Sequence, residues 1–153
     1  MKALTICQPY AELIASGDKR VENRTWPTRH RGPLLIHAGK SREWLNLGPR
    51  GEIEQDPDDQ MDRNSGLWLS DMVFGAVVAQ VDVIDCLQSD DILRGAHDEQ
   101  YPWIRAHSHV QGPWCWVLGN VRRIEPAVPW RGAQGLFDID DERLEAFGVL
   151  AHG

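Results

Sequence analysis

Residues 3–26 read ALTICQPYAELIASGDKRVENRTW, and they predict a strand, a short helix and a second strand. Residues 3–7 are mostly apolar, which is typical of a short buried strand. Pro9 follows at the place where a helix begins, since proline suits the first helical position. Gly17 tolerates the left-handed conformation that ends a helix, so this helix has only about two turns. Residues 20–26 then form the second strand.

The remainder of the chain adds strands and few helices. Alternation within residues 74–84 places Val77, Ala79, Val81 and Val83 on one half-buried face. Many strands, short helices and no regular β-α-β alternation indicate an α+β fold with a small mixed or antiparallel β-barrel and short flanking helices. The further predicted elements are strands at 34–38, 114–124 and 135–139, and helices at 41–47, at 89–95 and from Asp140 onward.

Length and composition indicate one globular domain over residues 1–153. Hydrophobic residues make up 42% and charged residues 25%, and a chain of this length can bury a core without disulfides or metals. No apolar run is long enough to span a membrane. The apolar stretch at the N-terminus stops at Gln8-Pro9, too soon for a signal-peptide core, so a cytoplasmic protein is expected. The three cysteines stand far apart, which argues against disulfides and structural zinc.

One segment interrupts this pattern. Residues 48–66 read GPRGEIEQDPDDQMDRNSG and contain almost no apolar side chains. Because such a segment has little to bury, we expect a mobile acidic surface loop. An acidic loop could also recruit a basic protein, so a protein-interaction module is a third possible function.

Charge is distributed unevenly along the chain. The net charge is −7 in total, yet residues 1–50 contain nine Lys/Arg and four Asp/Glu, a local net of +5. Residues 51–153 contain seven Lys/Arg and nineteen Asp/Glu, a net of −12. Such asymmetry is typical of a surface that meets polyanions, although charges in contact only with solvent can be distributed in the same way.

The densest functional chemistry lies in residues 17–26, GDKRVENRTW. Strand alternation places Glu22, Arg24 and Trp26 on one face, with Lys19 near the strand entrance. A carboxylate between two cations can hold both in place to bind a phosphate or a base edge, while the tryptophan stacks. A sheltered lysine can also act as a base. A structural ion-pair network at the barrel end would use the same residues.

This segment resembles the signature of the ASCH domain family, which is similar to PUA-like RNA-binding barrels. The family pattern G-x-K-x-x-E-x-R occurs as Gly17, Lys19, Glu22 and Arg24. The flanking blocks also occur in the family's order: LTICQPYAELIASG, RGPLLIHAGK and GPWCWVLGNVRRIEPAVPWRGAQGLFDI. The resemblance covers most of the chain except residues 45–70, and the ordered blocks make it specific.

The resemblance implies a cleft beside the first helix that binds RNA or single-stranded nucleic acid. Some small family members remove the acetyl group from N4-acetylcytidine, and others are reported to cleave RNA. The amidohydrolase members carry a catalytic threonine three residues after the lysine, where this chain has Glu22. The resemblance therefore supports ligand binding more strongly than deacetylation.

Three other features complete the candidate site. His37 shares a strand face with Leu35 and is close in sequence to Lys40, and Arg131 follows a tryptophan before the last strand. His107 and His109 lack an acidic or cysteine partner at ligand spacing, so no metal site is predicted. The catalytic candidates are Lys19, Glu22 and His37; the ligand-binding candidates are Gln8, Arg24, Trp26, Lys40 and Arg131.

The first functional hypothesis is therefore a module that binds single-stranded RNA or a nucleoside-like ligand, without a cofactor. In it Lys19, Arg24 and Lys40 hold phosphate or base oxygens, Glu22 orients them or accepts from an exocyclic amine, and Trp26 stacks. The alternative is an enzyme that uses the same cleft, either a ribonuclease or an amidohydrolase of an acylated nucleoside.

Overall fold

The computed structural model describes residues 1–45, 47–52, 67–146 and 148. Among these residues, six strands and three short helices follow one another, with a single 3-10 turn at Leu69–Asp71. The elements are β1 (Lys2–Ile6), α1 (Tyr10–Ser16), β2 (Val21–Arg24), β3 (Gly32–Ala38), β4 (Ala76–Gln88), α2 (Ser89–Leu93), β5 (Trp114–Pro129), β6 (Leu136–Asp138) and α3 (Asp141–Ala146).

All six strands belong to one mixed sheet with the order β2-β5-β4-β3-β1-β6. β1 and β3 are parallel, and the other neighbouring strands are antiparallel. The pairing of the long strands β4 and β5 shifts register at three places, and each shift bends the strands. The sheet curls into a half-barrel, which confirms the predicted α+β fold with a small mixed barrel and short helices.

Helix α1 packs its apolar face onto this curled sheet. Ala11, Ile14 and Ala15 are buried in one core cluster with Trp116 and Leu118 of β5. The helix ends at Gly17, whose φ of 89° is left-handed, as the sequence predicted. This abrupt end places the signature residues of β2 directly beside the helix.

Two sequence predictions about secondary structure were wrong. No helix forms over residues 41–47: the described residues there contain a turn closed by the Leu45 N–H and the Arg42 carbonyl. Trp44 and Leu47 are exposed, so this segment gains no packing that could offset the cost of helix nucleation, whereas α1, which has the same length, packs onto the sheet. In β4, the register shifts after Val77. The side chain of Val77 therefore packs in a second core cluster, apart from Ala79, Val81 and Val83.

The acidic segment 48–66 falls mostly outside the described residues, which include only 48–52 of it. At this end Glu52 forms an isolated antiparallel bridge with Trp68. The Leu69 N–H also donates to the carbonyl of Gly51, at 2.7 Å. The residues on either side of 53–66 therefore lie next to each other.

Replacing residues 53–66 by a short Gly-Ser linker should change the free energy of unfolding by less than about 0.5 kcal/mol. The bridge between Glu52 and Trp68 already brings the joined ends together, and a shorter loop costs slightly less closure entropy. Urea denaturation of the deletion variant and the intact chain measures the difference. A loss of several kcal/mol would show that these residues form part of the folded core.

Within the described ranges, no helix is both long enough and apolar enough to span a bilayer.

Candidate nucleic-acid interface

Lys19 and Glu22 of the signature line one small cavity of about 180 Å³, hereafter the motif cavity. It lies between the start of α1, strand β2 and the segment that precedes β5. Its lining residues are Tyr10, Lys19, Glu22, Asn23, Trp44, His109 and Gln111. Aromatic, cationic, anionic and amide groups therefore meet around a space that suits a single planar ring.

Lys19 is a buried cation in this cavity, with only 3% of its surface exposed. Its ammonium group donates a hydrogen bond to the carbonyl oxygen of Val21 and lies 5.7 Å from the ring centre of Tyr10. The turn after Gly17 and the start of β2 thus fix the direction of the charge. A cation held in this way is already oriented before any ligand arrives.

Glu22 contributes a buried carboxylate with one unused oxygen. Oε1 accepts the N–H of Asn23 at 2.9 Å. Oε2 is buried and has no hydrogen-bond partner among the described residues. An unpaired buried carboxylate oxygen is costly, so it is a strong acceptor for a donor group that enters the cavity.

Asn23 connects the signature to the distant segment before β5. Its Nδ2 donates to the carbonyl oxygen of His109 at 2.8 Å. Its Oδ1 accepts the N–H groups of Gln111 at 3.1 Å and Gly112 at 2.8 Å. These bonds hold His109 and Gln111 at the cavity wall. Asn23, His109 and Gln111 are not among the site residues predicted from the sequence.

His107 and His109 stand next to each other, with ring centres 5.3 Å apart. Burial, with Lys19 and Arg20 nearby, lowers the pKa of His107 to about 4. Burial, with Lys19 and His107 nearby, lowers the pKa of His109 to about 3. Both rings are therefore neutral near pH 7, and Nε2 of His107 accepts the backbone N–H of Arg20 at 3.1 Å.

Arg24 follows Glu22 on the same face of β2 and reaches toward β1. Its Nη2 donates to the carbonyl oxygen of Thr5 at 2.9 Å, whereas its Nε is buried without a hydrogen-bond partner among the described residues. Burial raises the pKa of the Cys7 thiol, and the positive charge of Arg24 partly offsets this rise. Arg24 is thus the signature residue that lies nearest to β1.

Gln8 and Trp26 lie outside the motif cavity. Gln8 is fully buried: its Oε1 accepts the N–H of Glu12, and its Nε2 donates to the carbonyl of Val73. Trp26 follows the end of β2, and its ring packs edge-on against Trp116 with centres 4.9 Å apart. Within the motif cavity, Tyr10 and Trp44 supply the aromatic surfaces instead.

His37, Lys40 and Arg131 belong to a second, larger cavity of about 740 Å³, hereafter the cationic cavity. It lies where β3 ends, beside the segment after β5 and helix α3. Its lining residues are Thr5, His37, Gly39, Lys40, Gly75, Pro129, Trp130, Arg131, Gly132 and Arg143. The two cavities share no lining residue, so the structure separates Lys19 and Glu22 from His37, Lys40 and Arg131. The other predicted site residues, Gln8, Arg24 and Trp26, line neither cavity.

Both ring nitrogens of His37 have partners within the protein. Nε2 lies 2.7 Å from the carbonyl oxygen of Trp130, so it donates, and Nδ1 lies 3.1 Å from Oγ1 of Thr5. The ring is 2% exposed, and burial lowers its pKa. His37 therefore contacts Thr5 and the backbone rather than open solvent.

Among the described residues, no group of three or more His, Cys, Asp or Glu side chains is arranged to hold a metal ion. The pair of His107 and His109 has no carboxylate or thiolate that would complete such a group.

Comparison with known sequences gives one consistent family. The model of the ASCH domain matches residues 4–128. Activating signal cointegrator 1 from Homo sapiens is 29% identical over 140 residues, which cover 91% of this chain and 22% of that protein. The protein of the same name from Mus musculus matches to the same extent. The chain thus spans only 22% of the length of these curated relatives.

Comparison of folds agrees with the sequence match. The crystal structure of ASCH from Zymomonas mobilis superposes with a TM-score of 0.54, over 97% of this chain and 94% of that chain. A mutant of the same protein gives a TM-score of 0.53, over 97% and 96%. Sequence identity is 13% in both cases, so this similarity concerns the fold.

Proposed function

The chain belongs to the ASCH domain family, and from this premise we propose that it binds RNA or a nucleoside by taking one base into the motif cavity. The unused Oε2 of Glu22 is the observation that carries the proposal. A carboxylate accepts hydrogen bonds only, so its complement is a base with an exocyclic amine, such as cytosine or adenine.

The other walls of the motif cavity fit the same ligand. Tyr10 and Trp44 offer aromatic faces for stacking, a contact worth about 1–3 kcal/mol per base. The ammonium of Lys19 can donate to an acceptor of the base, such as O2 of cytosine or a ring nitrogen of adenine, and the guanidinium of Arg24 lies on the side toward β1. The base is therefore held by one acceptor, one cation and aromatic surfaces, as in sites that bind unstacked bases.

Single-stranded RNA binding should be weaker at higher salt, because the excess of positive charge in residues 1–50 contributes phosphate contacts. Short oligomers of cytidine, adenosine and uridine, titrated by fluorescence anisotropy, should show a preference for the two amine-bearing bases.

Glu22→Gln should reverse this preference. The glutamine must keep Oε1 toward the Asn23 N–H, and its Nε2 then faces the ligand as a donor where Glu22 offers an acceptor. We expect the cytidine oligomer to lose about 1–3 kcal/mol of binding free energy, while the uridine oligomer holds or gains affinity. Anisotropy titrations of the wild type and the variant measure both changes.

Lys19→Ala, which removes the cation and leaves Glu22 in place, should weaken binding of all three oligomers and serves as the comparison. Equal losses for cytidine and uridine in Glu22→Gln would contradict a direct contact between Glu22 and the base.

Catalysis in the motif cavity is the second candidate, and the same unused oxygen of Glu22 supports it. A buried carboxylate beside Lys19 can activate a water molecule for attack on an acylated base such as N4-acetylcytidine, or on the RNA backbone. In that case Glu22→Gln should abolish turnover and leave affinity nearly unchanged. Incubation of both proteins with N4-acetylcytidine and with mixed RNA, with and without EDTA, distinguishes the two functions.

A further inference from the structure

The cationic cavity collects positive charge from three separate parts of the chain. Lys40 follows β3, Arg131 follows β5, and Arg143 belongs to α3. Within the described residues none of the three forms an ion pair. Three cations therefore line one cavity without an acidic partner among the described residues, and an anionic ligand would find their charge unneutralised.

Arg143 and Lys40 are positioned by contacts other than salt bridges. The guanidinium of Arg143 lies 4.2 Å from the ring centre of Trp130. The side chain of Lys40 runs across Gly75, where an added Cβ would stand 2.9 Å from its Cε atom. Two acids of the C-terminal part of the chain have other partners: Asp138 pairs with Lys2, and Asp141 pairs with the N-terminal amine.

Thr5 and His37 form a polar part of the cavity wall, next to Gly132. The parallel register of β1 and β3 places Thr5 next to His37, and the hydroxyl donates to Nδ1 because Nε2 already donates to Trp130. Gly132 lies so close to this pair that a Cβ added to the glycine would stand 2.7 Å from Oγ1 of Thr5. Thr5 and His37 both line the cavity.

We propose that the cationic cavity binds a phosphate monoester, carried by a free nucleotide or by the end of an RNA strand. A monoester carries close to two negative charges and three acceptor oxygens, which match three cationic donors, whereas an internal phosphodiester carries one charge. Arginine is suited to phosphate because its planar fork can form two parallel hydrogen bonds. The proposal deepens the proposed function but uses different residues.

Methyl phosphate and dimethyl phosphate are the probes, because neither contains a base. We expect isothermal titration at low salt to show methyl phosphate binding at least about tenfold more tightly than dimethyl phosphate. Arg143→Ala and Arg131→Ala should each weaken methyl phosphate binding about tenfold. Arg29→Ala removes an exposed arginine that lines neither cavity, and it should bind as the wild type does.

The source of the phosphate is tested with RNA tetramers that carry either a 5′-phosphate or a 5′-hydroxyl group, and with a free nucleoside monophosphate. A gain for the phosphorylated tetramer that Arg143→Ala removes identifies a strand end, and a gain confined to the monophosphate identifies a free nucleotide. Either result supports the site. Arg131 lies outside any helix or strand, so Arg131→Ala still tests phosphate binding if Arg143→Ala unfolds α3.

Two results would overturn the proposal: no binding of methyl phosphate by the wild type up to the order of 10 mM, or equal losses in Arg143→Ala and Arg29→Ala. Loss of methyl phosphate binding in Lys19→Ala would also overturn it, because the phosphate would then occupy the motif cavity. If Glu22→Gln leaves the preference between cytidine and uridine oligomers unchanged while methyl phosphate still binds, base recognition in the motif cavity is refuted and the phosphate site is not.

Discussion

Acidification from pH 7 to pH 4.5 should destabilise the protein by several kcal/mol, through His107 and His109. The pKa values of these rings are about 4 and about 3 in the folded state, against an ordinary value of 6.5. Below about pH 6.5 the unfolded chain therefore binds more protons than the folded one. Stability is fully present above this pH and is lost as the pH falls toward 4 for His107 and toward 3 for His109.

Each ring can contribute a slope of up to about 1.4 kcal/mol per pH unit within its window, and partial solvent screening reduces this to about 1. Urea denaturation at intervals between pH 7 and pH 4.5 measures the slope before most carboxylates titrate. His109→Gln should flatten the profile by about half, and His107→Gln, whose amide oxygen can still accept the Arg20 N–H, should act similarly.

His97→Gln is the matched control, because this histidine lies outside the pair. It should leave the profile unchanged. Identical slopes in the wild type and in both variants of the pair would mean that neither ring is held neutral by burial.

Asn23→Ala should have the second large effect, on stability and on ligand binding together. The variant leaves the His109 carbonyl and the N–H groups of Gln111 and Gly112 without their partner. With about 1 kcal/mol for each lost bond, the cost is about 3 kcal/mol. Because the same bonds place His109 and Gln111 at the motif cavity, RNA affinity should also fall at temperatures where the variant is fully folded.

Asn23→Asp separates the one donor bond of the side chain from its two acceptor bonds. It keeps an oxygen for Gln111 and Gly112, but it replaces the donor to His109 by a second carboxylate oxygen that repels the His109 carbonyl, so we expect at least about a third of the stability cost. Thermal denaturation and anisotropy titration of the same samples measure both properties. A loss of stability in Asn23→Ala with unchanged RNA affinity would show that the segment holds its position without Asn23, or that it does not contact the ligand.

Much of the site could be predicted because it is local in sequence. Lys19 and Glu22 are three residues apart and follow a helix that Gly17 ends, so helix termination and strand direction suffice to bring them to one place. The strands of the sheet are also visible as apolar runs. The short predicted helix at 41–47 failed because its local pattern carried too little energy to form without packing.

The rest depended on contacts between distant segments. Trp26 was expected to share the face of Glu22, but β2 ends at Arg24 and the ring then packs against Trp116. His37, Lys40 and Arg131 were expected in the same cleft as Lys19, yet β1, β3 and the end of β5 enclose them in a separate cavity. Alternation along one strand says which face a residue takes, but not which strand lies beside that face.

The sequence by itself determined the end of the first helix and the closeness of Lys19 to Glu22, because each depends on neighbours within a few residues. It also determined the family and the fold class, through motifs and apolar runs that occur in order along the chain. Only the tertiary structure decided that Asn23 holds a segment more than 80 residues away, and that three cations meet over Thr5 and His37. These arrangements follow from strand order and register, which a whole sheet sets cooperatively and which no single stretch of the chain encodes.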